Sequence, residues 1–339
     1  MSKFELLECT LRDGGYITEW KFKNEIIKDI LVSLVESGLD YIETGYLNRN
    51  SHSDNTTQFN NIRQIEEFIP KQRNNSMFLA MADVLQFSPE NITDYDGRSV
   101  DGIRVVFYKH QVEEALCLGK AVIERGYKLF MQPMVTIDYS IDEYVALAKR
   151  IVELNPYAVS IVDSFGYMLK SDFRRYFRVL DNILPENVVI GFHSHNNMNL
   201  AFINAQDILD YQTSRNLVID ASLYGMGRGA GNLQTELIAE YYNKTLGQKY
   251  DINIILDLIS QYIFPIFSQK SWGYSPYFFI TALYHCHPNY ASYLLQEYDV
   301  SVSDFKKFIE FIPNEMYTKC RKAYVIRMYN EYCDKGEGI

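Results

Sequence analysis

Gly191-Phe192-His193-Ser194-His195-Asn196-Asn197 closes an apolar, β-branched run that begins at Asn187, and it sets two imidazoles two residues apart. Such a run reads as a buried strand, and the period of two along a strand turns His193 and His195 to the same face. Two imidazoles on one face can share a metal ion. Equally, one can be a hydrogen-bonded core residue and the other exposed, because histidine is common without being a ligand. The surrounding chain has to separate these readings.

Outward from this stretch, strand-like and helical runs alternate. Strands are expected at 4–10, 39–45, 77–83, 102–107, 128–135, 158–162, 188–195 and 218–223, and helices at 24–37, 58–69, 111–125, 141–154, 171–183, 200–211 and 233–246. The first helix shows the pattern: Ile26, Ile27, Ile30, Leu31, Leu34 and Val35 fall on one face, and Gly38 stops it. The polar stretch 46–57 predicts a loop that can cover a site, and 87–99, with Pro89 and Gly97, has room for a short helix only. Eight strands alternating with helices predict a (β/α)₈ TIM barrel rather than an open doubly wound sheet, because no Gly-x-Gly-x-x-Gly follows the first strand. Beyond 250 the rhythm stops. Helices rich in Tyr and Phe are expected at 252–264, 277–286, 290–297, 303–310 and 317–333. The expected organisation is a TIM-barrel catalytic domain over 1–248, a helical C-terminal domain over 249–333 and a flexible tail over 334–339.

Composition narrows the functional classes. With 339 residues and a hydrophobic fraction of 47%, the chain can bury a sizeable core, and no uninterrupted apolar stretch is long enough to span a membrane. The N-terminus lacks a basic region followed by an apolar one, and Cys9, Cys117, Cys286, Cys320 and Cys333 do not cluster as a disulfide framework, which predicts a reducing, cytoplasmic setting. A net charge of −10 argues against general binding to nucleic acid or to a membrane surface. Small-molecule substrates remain.

In a (β/α)₈ barrel the functional groups sit at the C-terminal ends of the strands. The expected strand ends carry Arg12 and Asp13, Glu43, Asp83, Asp163 and Ser164, and His193 and His195, and the eighth strand runs into the glycine-rich stretch 225–232. Strands seven, eight and one are consecutive in a closed barrel, so Asp13 can face both imidazoles across strand eight. Two His and one carboxylate with open positions make a divalent-metal site. Arg12 beside Asp13 either stabilises a developing enolate or forms an ordinary ion pair. Glu43 is expected either at the barrel mouth, orienting Arg12 or a metal-bound water, or in a structural pair with Arg12. The glycines let backbone pass close to the ion and present Asn232, as an N-cap of helix eight or as an extra oxygen ligand. A second His-x-His, His285 to His287, ends an apparent helix stopped by Pro288. Residues two apart on a helix diverge, so this pair is expected to be structural, with a possible edge contact to the site.

Thr10-Leu11-Arg12-Asp13-Gly14, Ile42-Glu43-Thr44-Gly45, Asp163-Ser164-Phe165-Gly166-Tyr167-Met168, the stretch 191–197 and Gly227-Arg228-Gly229-Ala230-Gly231-Asn232 together resemble the metal-dependent pyruvate aldolase and acyl-CoA condensing superfamily. The Gly-Ala-Gly-Asn ending, Gly273-Tyr274 and His287-Pro288 look most like its 4-hydroxy-2-oxovalerate aldolase branch. The resemblance implies Mn²⁺ or Mg²⁺ held by Asp13, His193 and His195, a metal-bound pyruvate enolate steadied by Arg12, and Ser164 on the substrate carboxylate. It implies a 2-keto acid and an aldehyde as small-molecule partners, and an aldehyde dehydrogenase partner or a homo-oligomer. The sequence departs from that branch at one place. The aldolases carry a catalytic His three residues after the metal Asp, where this chain has Tyr16, a poorer base at neutral pH unless its pKa is lowered. Claisen condensation of an acyl-CoA and a non-catalytic metal-binding barrel are the alternative readings.

Overall fold

In the computed structural model, which describes residues 4–49, 52–211 and 213–335, the apolar runs form eight parallel strands. They are β1 (Phe4–Glu8), β2 (Tyr41–Leu47), β3 (Met77–Asp83), β4 (Gly102–Phe107), β5 (Lys128–Pro133), β6 (Ala158–Asp163), β7 (Val189–Ser194) and β8 (Leu217–Ala221). Each pairs with its neighbour in sequence, and β1 pairs with both β8 (Leu6 opposite Ile219) and β2 (Leu7 opposite Tyr41), which closes the barrel. Closure leaves no free edge, and the alternation of side chains divides the apolar residues into two sets. Leu7, Cys9, Tyr41, Leu79, Phe130, Ala158, Val189 and Val218 form an apolar plug inside the barrel, apart from the larger core between strands and helices.

Six helices follow the strands: α1 (Asn24–Glu36), α2 (Val112–Glu124), α3 (Ile141–Val152), α4 (Lys170–Ile183), α5 (Ala201–Leu209) and α6 (Thr235–Leu246). In α1, Ile27, Ile30, Leu31, Leu34 and Val35 are the buried face, as their spacing requires. The helix expected at 58–69 is not an α-helix. Gln58–Phe59 extends the sheet beside the end of β2, and Ile62–Phe68 is a 3₁₀ run started by Asn61 and Gln64 in a capping box. After β3 there is only the turn Pro89–Asn91, consistent with Pro89 lacking a backbone donor. The expected covering loop 46–57 is strand as far as Leu47, and its residues 50 and 51 lie outside the described residues.

Beyond the barrel, α7 is the continuous run Ile252–Gln269, interrupted by a π-turn at Ile259–Ile263 that precedes Pro265 and absorbs its missing donor. Among the described residues it is the one helix long and apolar enough to cross a membrane, yet its Ile255, Leu258, Ile259 and Ile263 are buried in the barrel core. A second apolar core is built by α8 (Pro276–Leu283), α9 (Asn289–Glu297), α10 (Val302–Phe311) and α11 (Lys322–Asp334). The last helix starts at Lys322 rather than 317, after the turn Asn314–Met316. Of the expected tail 334–339, Asp334 belongs to α11, and 336–339 lie outside the described residues.

The end of α4 is fixed to β7, the strand that carries the imidazoles, by one buried side chain. Arg215 donates from Nε to Asp181 Oδ1 (2.7 Å), from Nη1 to the carbonyls of Pro185 (2.6 Å) and Val188 (3.0 Å), and from Nη2 to those of Asp181 and Leu184 (both 3.0 Å). The carbonyls of Asp181 and Leu184 are orphans of the helix C-terminus, and those of Pro185 and Val188 belong to the segment that leads into β7. Arg215→Met removes the donor that these carbonyls share, and is expected to cost roughly 3 kcal/mol of stability, read as a lower midpoint of urea unfolding.

Candidate metal centre

β1 does not run on to Asp13. It ends at Glu8, and Thr10–Asp13 is a single helical turn that carries Arg12 and Asp13 into the barrel mouth. Glu8 holds that turn, accepting from the backbone N–H of Thr10 (3.0 Å) and Leu223 (2.9 Å) and from the Thr10 hydroxyl, while burial pushes its carboxyl up to about 7. His193, next to last in its strand, lies opposite Val162, and His195 lies one residue past the strand, its backbone bridged to Asn232. The rings stand 5.3 Å apart and nearly perpendicular. Ligand atoms of Asp13, His193 and His195 all lie within 4.8 Å of one another, and all three residues are buried.

Protonation states suit ligation. Burial pushes His195 down to about 3, so its ring is neutral. Burial alone would raise Asp13, but Arg12 and the two imidazoles outweigh it and hold the carboxyl well below its ordinary range. Deprotonated Asp and neutral His are the forms that bind metal. His195 Nδ1 and Asn232 Oδ1 are buried without a partner among the described residues, a costly arrangement for polar atoms beside a group of ligand-type side chains. Asn232 is not an N-cap, because α6 begins at Thr235 with Gln234 in the capping position. Its amide nitrogen instead donates to Asp13 Oδ2, which leaves Oδ1 as the free oxygen. Gly231, at φ +84°, makes this approach possible, since a side chain there would run into the Gly225 carbonyl.

Behind the ligands lies a ring of buried ions. Arg12 donates from Nη1 to Asp13 Oδ1 and from Nε to Glu43 Oε2, both at 2.7 Å. Glu43 Oε2 lies 3.1 Å from Arg104 Nη1; Arg104 Nη2 meets Asp220 and Gln132 (3.1 Å); Asp220 Oδ2 lies 3.0 Å from His193 Nδ1. Two guanidinium groups therefore face three carboxylates, and the surplus negative charge favours a cation. Glu43 is fully buried behind Arg12 and is absent from the cavity wall, so it orients Arg12 rather than a solvent molecule at the mouth.

The cavity above the ligands measures about 140 Å³ and is lined by Arg12, Tyr16, Asp83, Ser164 and Arg228 as well as the ligand side chains. Ser164 Oγ accepts from Val135 N (2.8 Å). Asp163 turns away, its carboxylate accepting from the N–H groups of Tyr167 (3.1 Å) and Met168 (3.0 Å), and burial pushes it up to about 7. Tyr16 sits at the rim, edge-on to Trp20 at 4.8 Å and with the Arg228 guanidinium 5.2 Å from its ring. Burial raises its phenol above the ordinary value against the opposing pull of Arg228. His287 is buried and stacks edgewise on Phe165, with Nε2 at 3.4 Å from Arg228 Nη1; His285 stacks on Tyr167 at 4.2 Å. The two point to different neighbours, but not because of helix geometry: the helix expected to run to 286 ends at Leu283, and His285 sits beyond it in the left-handed region at φ +53°.

Sequence reasoning missed Arg104, Asp220 and Arg228. The signal was present for the first two: Arg104 in Gly-Ile-Arg-Val-Val and Asp220 in Val-Ile-Asp-Ala are charges inside apolar strands, which bury only when paired.

A closed parallel barrel with Asp, His and His converging at its C-terminal mouth defines a class, the (β/α)₈ enzymes with a candidate divalent-metal site. Residues 108–260 match the HMGL-like family model, and the relatives and solved structures to which the chain is similar are consistent with that superfamily. The chain is 26% identical over 275 residues to a 4-hydroxy-2-oxovalerate aldolase of Bacillus cereus, covering 77% of this chain and 76% of that protein. It is also 26% identical over 264 residues to an oxaloacetate decarboxylase of Mycobacterium tuberculosis, covering 74% of each. Among solved structures, the N-terminal domain of a candidate aldolase from Bacteroides vulgatus superposes with a TM-score of 0.72 at 26% identity, covering 86% of this chain and 98% of that one.

The His193 ring is held in orientation by Asp220 Oδ2 against its Nδ1. Asp220→Asn is expected to weaken Mn²⁺ binding roughly 10- to 100-fold, the usual cost of losing a carboxylate behind a ligating imidazole, as measured by calorimetric titration.

Proposed function

We propose that the chain is a divalent-metal-dependent aldolase that cleaves or forms a 2-keto-4-hydroxy acid, with pyruvate and an aldehyde as the two halves. The observation that carries this reading is the convergence of Asp13, His193 and His195 on one buried point with the Arg12 guanidinium beside it. Those three residues would hold Mn²⁺ or Mg²⁺, with Asn232 Oδ1 as a further oxygen. When bound, the ion supplies Lewis-acid polarisation of a keto oxygen.

The chain's own residues do the rest. Arg12 is clamped on Nε and Nη1, and its Nη2 has no protein acceptor among the described residues, which leaves it for the negative charge that grows as the C3–C4 bond breaks. Glu43 is the positioning residue for Arg12. Ser164 on the cavity wall binds the substrate carboxylate. The C3–C4 electron pair moves into the keto group to give the enolate of pyruvate, which is then protonated at C3, while the 4-hydroxyl loses its proton and the aldehyde leaves. Tyr16, at the cavity rim, is the proton carrier we assign to that hydroxyl. In condensation the neutral phenol gives its proton to the aldehyde oxygen; in cleavage the phenolate takes the proton of the 4-hydroxyl, and the raised pKa keeps that form a minority at neutral pH, which favours the condensation direction.

A second reading is supported by the same tyrosine and by the decarboxylase relative. Loss of CO₂ from oxaloacetate leaves the same enolate and requires no base for a hydroxyl proton. With Mn²⁺ present, wild type is expected to release pyruvate from 4-hydroxy-2-oxo acids, and chelation abolishes this. Tyr16→Phe is expected to lower that turnover by roughly 10²-fold, far more than any effect on oxaloacetate. Turnover of oxaloacetate with none of any 4-hydroxy-2-oxo acid would establish the second reading instead.

A further inference from the structure

The cavity at the ligands is small, but it does not stand alone. A second cavity of about 1220 Å³ lies between the barrel and the C-terminal helices. Tyr108 and Met134 line both cavities, and His287 on the wall of the second is the residue whose Nε2 lies against Arg228 of the first. About 140 Å³ has room for pyruvate and the reacting carbon, whereas pockets for whole ligands usually measure roughly 300–1,000 Å³.

The second cavity has a charge that the whole chain does not share. Its walls carry Lys109, Lys319, Arg321 and Arg327 against one carboxylate, Asp138, in a protein of net charge −10. Lys109 is paired with Glu143 at 2.7 Å, and Arg327 lies 3.7 Å from Glu331 on its own helix. Lys319 and Arg321, just before α11, have no carboxylate within ion-pair distance among the described residues. Two uncommitted cations on a largely apolar wall attract an anion and lose little hydration in taking it.

We propose that this second cavity receives the far end of the substrate, so that the aldehyde half is an extended chain ending in an anionic group held by Lys319 and Arg321. The inference rests on the aldolase reading for the identity of the reacting end, and on the cavity alone for the tail. The chain would pass Tyr108 and Met134, which would then select for length, and the cations for charge. A terminal phosphate and a terminal carboxylate share the required chemistry.

Three six-carbon 2-keto-3-deoxy acids test this: one ending in a C6 phosphate, one in a C6 carboxylate and one in an uncharged C6 hydroxyl. Each is titrated calorimetrically into metal-free protein, where no turnover is possible, and then assayed for pyruvate release with Mn²⁺. Wild type is expected to bind a charged-tail compound at least about tenfold more tightly than the uncharged one, the worth of one charge-assisted pair, with a matching difference in KM. The Lys319→Met/Arg321→Met double variant is expected to lose that preference, and the stronger of the two charged arms identifies the anion. Equal affinity for all three compounds, or a preference that survives in the variant, overturns the proposal. Tail-dependent binding without pyruvate release from any compound would instead overturn the aldolase reading and leave the anionic-tail site standing.

Discussion

Arg104 crosses the inside of the barrel and ties three strands, through charge to Glu43 on β2 and Asp220 on β8 and through a hydrogen bond to Gln132 on β5. A guanidinium in that position is tolerable only if carboxylates meet it, and those carboxylates are tolerable only if something positive meets them. The requirement propagates outward. Glu43 fixes Arg12, Asp220 fixes His193, and Arg12 and His193 both face Asp13, so the ion ring closes at the candidate metal position. Burying these charges is a poor way to gain stability, since well-packed apolar residues would serve as well or better. What the ring provides is geometry, because removing any member strands its partner in a low-dielectric interior.

The layers along the barrel axis follow from the same constraint. The apolar plug from Leu7 to Val218 seals the interior, the ion ring lies among the inward-facing residues further along the strands, and the ligand atoms converge at the C-terminal mouth. The candidate ligands are therefore confined to one end, where Arg12 is already oriented by Asp13 and Glu43. Tyr16 is the exception to this rigidity, since it sits at the rim, more than a third exposed, and is held by ring contacts with Trp20 and Arg228 rather than by a buried hydrogen bond.

The helices beyond the barrel add what the barrel mouth lacks. Their own apolar core, from Ile280 to Tyr332, allows them to stand over the mouth and to bring His287 against Arg228. They also wall the larger cavity with the segment that precedes α11. The candidate metal site thus belongs to the strand ends, and the larger cavity to the appended helices.

Much of this was legible in the chain. Strand and helix periodicity, the eightfold alternation, the shared face of His193 and His195 and the nearness of Asp13 depend on local spacing and on the rule that barrel strands neighbour in order, so the sequence by itself determined the barrel and the three ligand-type residues. It did not determine that 62–68 would be a 3₁₀ run, that Asn232 would turn its amide to Asp13 instead of capping α6, or that Glu43 would stand behind Arg12. Nor did it show Arg104 linking Glu43 to Asp220, residues 177 positions apart (220 − 43), or the cavity between barrel and helices. Those outcomes were decided only by the tertiary structure, because a buried charge selects its partner by position in space, and spacing along the chain carries no record of which strands the closed barrel will bring face to face.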